Sequence, residues 1–67
     1  MFNFFADENS RQGDCFFITG SDLNHIKNVL RMRTGDALLV SENGKSHLCE
    51  IEDLTENTAI VRIAEEI

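Results

Sequence analysis

At 67 residues the chain holds one small domain, too short to build a two-walled catalytic cleft beside a sizeable core. Its 42 % hydrophobic and 27 % charged residues are those of a folding chain and not of a disordered one. A formal net charge of -6 excludes a uniformly basic surface of the kind that coats nucleic acid.

No apolar run approaches the roughly 20 residues of a membrane span, and "MFNFFADENS" offers neither a basic leader nor a small-residue cleavage site. A cytoplasmic protein with no membrane partner is expected. Cys15 and Cys49 stand alone, with no CxxC pair and only two histidines in the chain, so both read as reduced, buried thiols, and no metal site is expected.

In chain order, "NFFA" (residues 3–6) is a short strand ended by the polar loop "DENSRQGD", and "CFFIT" (residues 15–19) is a second strand stopped by Gly20. All five phenylalanines fall in or beside these strands and read mainly as core, although Phe also stacks nucleobases in some RNA-binding modules. Ser21 is placed to cap a helix over residues 22–32, with Asp22 in its first turn and Gly35 just past its end. On that helix Leu23, Ile26, Val29 and Leu30 share one arc of about 120°, the stripe that would face a sheet. Asn24, Lys27, Asn28 and Arg31 make the neighbouring arc.

"ALLVSE" and "KSHLCEIEDL" flank Asn43-Gly44, the strongest short-range hairpin signal, because a two-residue type I′ turn needs positive φ at both positions. Alternation in the second arm puts His47, Cys49 and Ile51 on one face. Cys49 reads as core, while His47, close to the turn, reads as a plain surface residue. After "TEN", residues 58–64 alternate Ala59, Val61 and Ile63 against Thr58, Ile60 and Arg62, as a last strand with one better-buried face would. The expected architecture is mainly β: a small five-stranded, mostly antiparallel barrel with one packed α-helix.

Charge is distributed unevenly over these elements. Residues 1–24 sum to -3, residues 25–33 to +3 and residues 34–67 to -6. The positive stretch is "HIKNVLRMRTGD", with Lys27, Arg31 and Arg33. Cations near a helix C-terminus suit the dipole, which accounts for Arg31 and Arg33 but not for Lys27 or His25. Lys27 and Arg31, four apart, would repel by a few tenths of a kcal/mol on a regular helix. Pattern alone leaves an anion-binding patch and a solvated helix flank both open.

The order of residues adds a resemblance. The run from His25 to Asp36 is similar to the most recognisable segment of the ribosomal RNA small subunit methyltransferase E family, a helix reading His-x-x-x-Val-Leu-Arg followed by a short loop and Gly-Asp; here these are His25, Val29, Leu30, Arg31, Gly35 and Asp36. An N-terminal "FF" strand, a strand ending in "ITG", the helix, a hairpin and a β-branched last strand also follow the family's order, so the resemblance covers essentially the whole chain.

The resemblance implies a PUA-like barrel spanning residues 1–67, the N-terminal RNA-binding domain of a longer enzyme that methylates N3 of a uridine in 16S ribosomal RNA. The family's knotted SPOUT domain, which binds S-adenosylmethionine and forms a homodimer, has no counterpart in these residues. No catalytic or cofactor-binding residue is therefore expected in this chain, which on its own would be a monomer and not an enzyme. Its expected partner is 16S ribosomal RNA or the small ribosomal subunit, met by His25, Lys27, Arg31 and Arg33. Many members begin with arginines beside the first strand; "MFNFF" has none, and Arg11 in the following loop is the RNA-binding candidate that stands in for them. The alternative of another class is a small acidic barrel that docks a protein partner through the helix patch.

Overall fold

The computed structural model describes residues 2–66. Among them are six strands, β1 (Asn3–Phe5), β2 (Arg11–Gln12), β3 (Cys15–Ile18), β4 (Ala37–Glu42), β5 (Lys45–Leu54) and β6 (Ala59–Glu66), with a short 3₁₀ turn at Glu8–Ser10. Between β3 and β4 lies the helix α1 (Gly20–Asn24), which continues into one π-helical turn, His25–Val29.

The strands form a single curled sheet in the order β1-β4-β5-β6-β3-β2. Asn43 and Gly44 have φ of 49° and 77°, the left-handed values a type I′ turn requires, and the hairpin pairs in register from Glu42 opposite Lys45 to Ala37 opposite Glu50. β5 carries irregularities between Leu48 and Cys49 and between Ile51 and Asp53, and such bulges bend a strand so that its sheet curls. The fold is the expected PUA-like one, with two differences in its strands. Arg11 and Gln12, inside the polar stretch read as loop, pair with Phe16 and Cys15 as the edge strand β2. β1 runs parallel to β4, because the chain returns beside it only after a long crossover through β3 and the helix.

The concave face holds the core: Phe4, Phe16, Ile18, Leu38, Val40, Cys49, Ile51, Ala59 and Val61 from the strands, Leu23 and Ile26 from the helix. Alternation along β6 is as expected, with Ala59 and Val61 fully buried, Ile63 packed against the core and Arg62 outside. Cys49 is buried and Cys15 half-buried, both free thiols, so Cys15 corrects the reading of two buried ones. Cys15 alternates outward on β3, its Sγ 3.8 Å from Glu52 Oε2; Arg62 clamps the same carboxylate through Nε and Nη2 at 2.6 and 3.0 Å. Arg62 also holds the Glu52 carboxyl below its ordinary range.

Three single residues differ from expectation. His47 is 1 % exposed, not on the surface: it pairs with Val40 in the hairpin, which sets Glu42 Oε1 3.4 Å from its Nε2, and its ring lies 5.6 Å from that of Phe16. Phe5 is 78 % exposed because alternation along β1 turns it away from the face of Phe4, and Phe2, just before the strand, is 52 % exposed. Val29 is 63 % exposed although the helical wheel put it on the buried stripe. The π turn inserts an extra residue between bonded partners and rotates Val29 off the face that Leu23 and Ile26 keep.

Ile26→Ala is therefore expected to cost about 2–5 kcal/mol and Val29→Ala no more than about 0.5 kcal/mol, as read from urea unfolding. Comparable losses for both would restore the regular helix.

Burial, helped by Cys15 and opposed by Arg11, pushes the Cys49 thiol up from 9.0 to about 11. The unfolded thiol ionises first on going alkaline, so between about pH 9 and 11 the native state binds the extra proton and stability falls. The wild type should lose on the order of 2 kcal/mol more than Cys49→Ala across that window. Parallel pH profiles for the two would remove Cys49 as the cause.

Candidate nucleic-acid interface

The positive segment is shaped by how the helix ends. His25 N–H still reaches back to the carbonyls of Ser21 and Asp22 as in an α-helix. Leu30 N–H then bonds His25 O at 2.8 Å, five residues back, and Met32 N–H bonds Ile26 O at 2.9 Å. Arg31, between them, takes φ of 52°. This is a wide version of the closure in which a left-handed residue lets the next N–H satisfy a carbonyl of the last turn. Helical structure thus stops at Val29 and not at Met32, and Thr19, with no side-chain cap bond, holds the N-cap position expected of Ser21.

The turn that follows is equally determined. Gly35 has φ of +93°, and Asp36 N–H bonds Arg33 O at 3.0 Å while the Asp36 carboxylate accepts the Arg33 N–H at 2.8 Å. Gly35 N–H to Ile51 O and Ile51 N–H to Asp36 O, at 2.8 and 2.9 Å, fasten that turn to β5. The Gly-Asp pair is thus a bracket that fixes where Arg33 leaves the backbone.

The candidate cations do not all behave alike. Arg31 and Arg33 are exposed on this loop. His25, also exposed, packs edge-on to Phe4 with ring centroids 6.2 Å apart. Lys27 is half-buried and its Nζ donates to Thr55 O at 3.0 Å, tying the π turn to the β5–β6 connection. Because Lys27 lies in the π turn and Arg31 beyond it, they are not the stacked i,i+4 pair of a regular helix.

Arg11 stands apart from these four. Its Nη1 meets Glu42 Oε1 at 2.6 Å, its Nε donates to Gly13 O at 2.9 Å, and its guanidinium lies 5.6 Å from the Phe16 ring centre. It belongs to the seam of the sheet. Sequence reasoning missed Thr55, whose Oγ1 accepts from Asn57 N–H and Thr58 N–H at 3.2 and 3.0 Å and so sets the turn that receives Lys27. The signal was a threonine opening "TENT", a hydroxyl turn motif.

Residues 18–64 match the model of the RNA methyltransferase PUA domain family. Among solved structures, a ribosomal RNA small subunit methyltransferase E from Neisseria gonorrhoeae bound to S-adenosyl methionine is 26 % identical with a TM-score of 0.80, over 100 % of this chain and 28 % of that one. A probable rRNA-methyltransferase from Porphyromonas gingivalis is 25 % identical with a TM-score of 0.80, over 100 % and 27 %. A predicted RNA methyltransferase from Thermotoga maritima, 22 % identical, has the same fold with a TM-score of 0.83, over 100 % and 30 %. The chain thus spans less than a third of the length of these neighbours. No curated protein matches it.

Arg31→Gly is expected to leave stability unchanged or raise it by up to about 1 kcal/mol, since a side chain in the left-handed region costs about 1–2 kcal/mol and the freer unfolded glycine offsets part of that gain. A loss above about 1 kcal/mol in urea unfolding would mean that the Arg31 side chain supports the fold.

Proposed function

This chain belongs to the RNA methyltransferase PUA domain family, and we propose that it is the RNA-recognition domain of a 16S ribosomal RNA methyltransferase. In this reading it orients the RNA for an S-adenosylmethionine-dependent catalytic domain that lies outside these residues, methylates N3 of a uridine and forms a cytoplasmic homodimer. The 26 % identical methyltransferase E structure supports the substrate and the cofactor by likeness. The observation that carries the reading is the exposed Arg31 and Arg33 on a backbone pinned at both ends, in the +3 segment of an otherwise acidic chain.

The physical account is electrostatic. His25, Lys27, Arg31 and Arg33 form a ridge that meets phosphates, with Lys27 contributing less because one of its donors is held by Thr55 O. Arg11, neutralised by Glu42, contributes least. The acidic remainder repels RNA, so docking is confined to the ridge by exclusion as well as by attraction. Affinity of the domain alone is weak, and its attachment to a catalytic domain would add to both by raising effective concentration. The alternative of a protein-docking module draws on the exposed Phe2, Phe5 and Val29, which are anchors of the apolar kind.

A salt titration separates the two. Each phosphate neutralised contributes roughly 0.7 to 0.9 to the slope of log affinity against log salt, so replacing Lys27, Arg31 and Arg33 by Ala should flatten that slope by up to about three units of it. The replacements lie off the core and circular dichroism should be unchanged. Equal slopes for two folded proteins would make the ridge a solvated flank.

A further inference from the structure

Beside the ridge, a groove of about 310 Å³ opens between the helix and the β5–β6 turn. Its floor is the buried Leu23, and its walls are Asn24, Lys27 and Asn28 on one side and Glu56 and Asn57 on the other. That volume is at the lower end of small-ligand pockets, about 300–1,000 Å³. In a chain of net charge -6 this lining is neutral, one lysine against one glutamate, with three carboxamides between them.

The carboxamides are ordered by a bond between them. Asn28 Nδ2 donates to Asn24 Oδ1 at 2.7 Å. An asparagine amide has two N–H donors and a carbonyl with two lone pairs. The pair therefore offers the remaining donors of Asn24 next to the carbonyl acceptor of Asn28. The opposite wall is equally set, since Thr55 N–H bonds Thr58 O at 2.9 Å, the Thr55 hydroxyl organises Asn57 and Thr58, and Lys27 fastens the turn to the helix. Neither wall needs ordering when a ligand arrives, which lowers the entropic cost of binding.

We propose that this groove seats one unpaired RNA base. The donor of one amide beside the acceptor of the other matches the donor and acceptor that every base carries side by side on an edge, a two-residue version of the bidentate contact that a single asparagine amide makes to adenine. Leu23 gives the ring an apolar floor. A phosphate is disfavoured here because Glu56 faces Lys27 across the groove and offsets its charge. The inference takes its ligand class from the RNA-binding reading and adds a division of labour: Arg31 and Arg33 take the backbone, the groove takes a base splayed out of the strand. Duplex RNA, whose bases are stacked and paired, cannot supply one.

The test is nuclear magnetic resonance on the ¹⁵N-labelled chain, titrated with the four uncharged nucleosides, with single-stranded oligonucleotides and with a blunt RNA duplex. The side-chain NH₂ signals of Asn24, Asn28 and Asn57 should shift with at least one nucleoside and with single strands, and stay in place with the duplex. The double variant Asn24→Ala, Asn28→Ala should bind single strands at least about fivefold more weakly and duplex equally. Absence of any asparagine response to nucleosides and single strands, with the salt dependence carried by Arg31 and Arg33 intact, overturns the base seat and leaves the ridge standing. A response to nucleosides with no effect of Arg31→Ala and Arg33→Ala on RNA binding upholds the seat and removes the ridge instead.

Discussion

The fold depends on closing a sheet that is too short to close itself. Six strands in the order β1-β4-β5-β6-β3-β2 leave two edges, and β1 and β2 have only three and two residues to cover them. Where β1 runs out, Glu42 at the end of β4 meets Arg11 on β2, the opposite edge, at 2.6 Å. This ion pair does what backbone bonds do around a full barrel, and its Glu42 carboxylate also faces the buried His47. Charges so placed are strengthened by their low-dielectric surroundings and are costly to separate, because one partner would then be left inside without the other. Arg11 in turn lies against Phe16, so the seam and the core are one construction.

With the seam closed, the helix has a fixed surface to lie on, and its π turn is where structure passes into function. Leu23 and Ile26 keep the turn on the core, and the extra residue is absorbed on the outside, where Val29 becomes exposed. Such one-turn bulges are costlier than regular helix and are frequent at functional sites. Around the bulge the surface is laid out residue by residue: Asn28 bonds Asn24 one turn back, Lys27 reaches the β5–β6 turn, and Arg31 follows in a left-handed conformation.

How much of this was legible in the sequence follows from the range of the forces involved. The hairpin was readable because Asn43-Gly44 encodes its own φ values, and the inward faces of β5 and β6 because alternation survives wherever a strand has one buried side. The seam was not readable. Arg11 and Phe16 are distant along the chain from the hairpin that carries Glu42 and His47, and nothing local says that a histidine near a turn will be roofed by another strand. β2 was hidden for a similar reason, since two residues leave no period to detect. The π turn escaped because a helical wheel assumes the angular step that the turn violates. Of the candidate site, residue identity was legible and conformation was not: the basic run was evident, whereas the tether on Lys27 and the capture of Arg11 by Glu42 are tertiary facts.

The placement of charge gives the architecture its last constraint. An acidic chain folds its own arginines against carboxylates wherever topology brings them together, as Arg62 with Glu52 and Arg11 with Glu42 demonstrate. Arg31 and Arg33 are placed differently: the first sits on a left-handed residue beyond the helix, and the second leaves a turn in which the Asp36 carboxylate accepts the Arg33 backbone N–H. The Asp36 carboxylate holds the loop through the Arg33 backbone N–H, and the Arg33 side chain stands exposed beside it. In a domain with little area to offer, a few cations held on a fixed backbone meet an RNA strand with less conformational entropy to lose than the same number on a mobile tail.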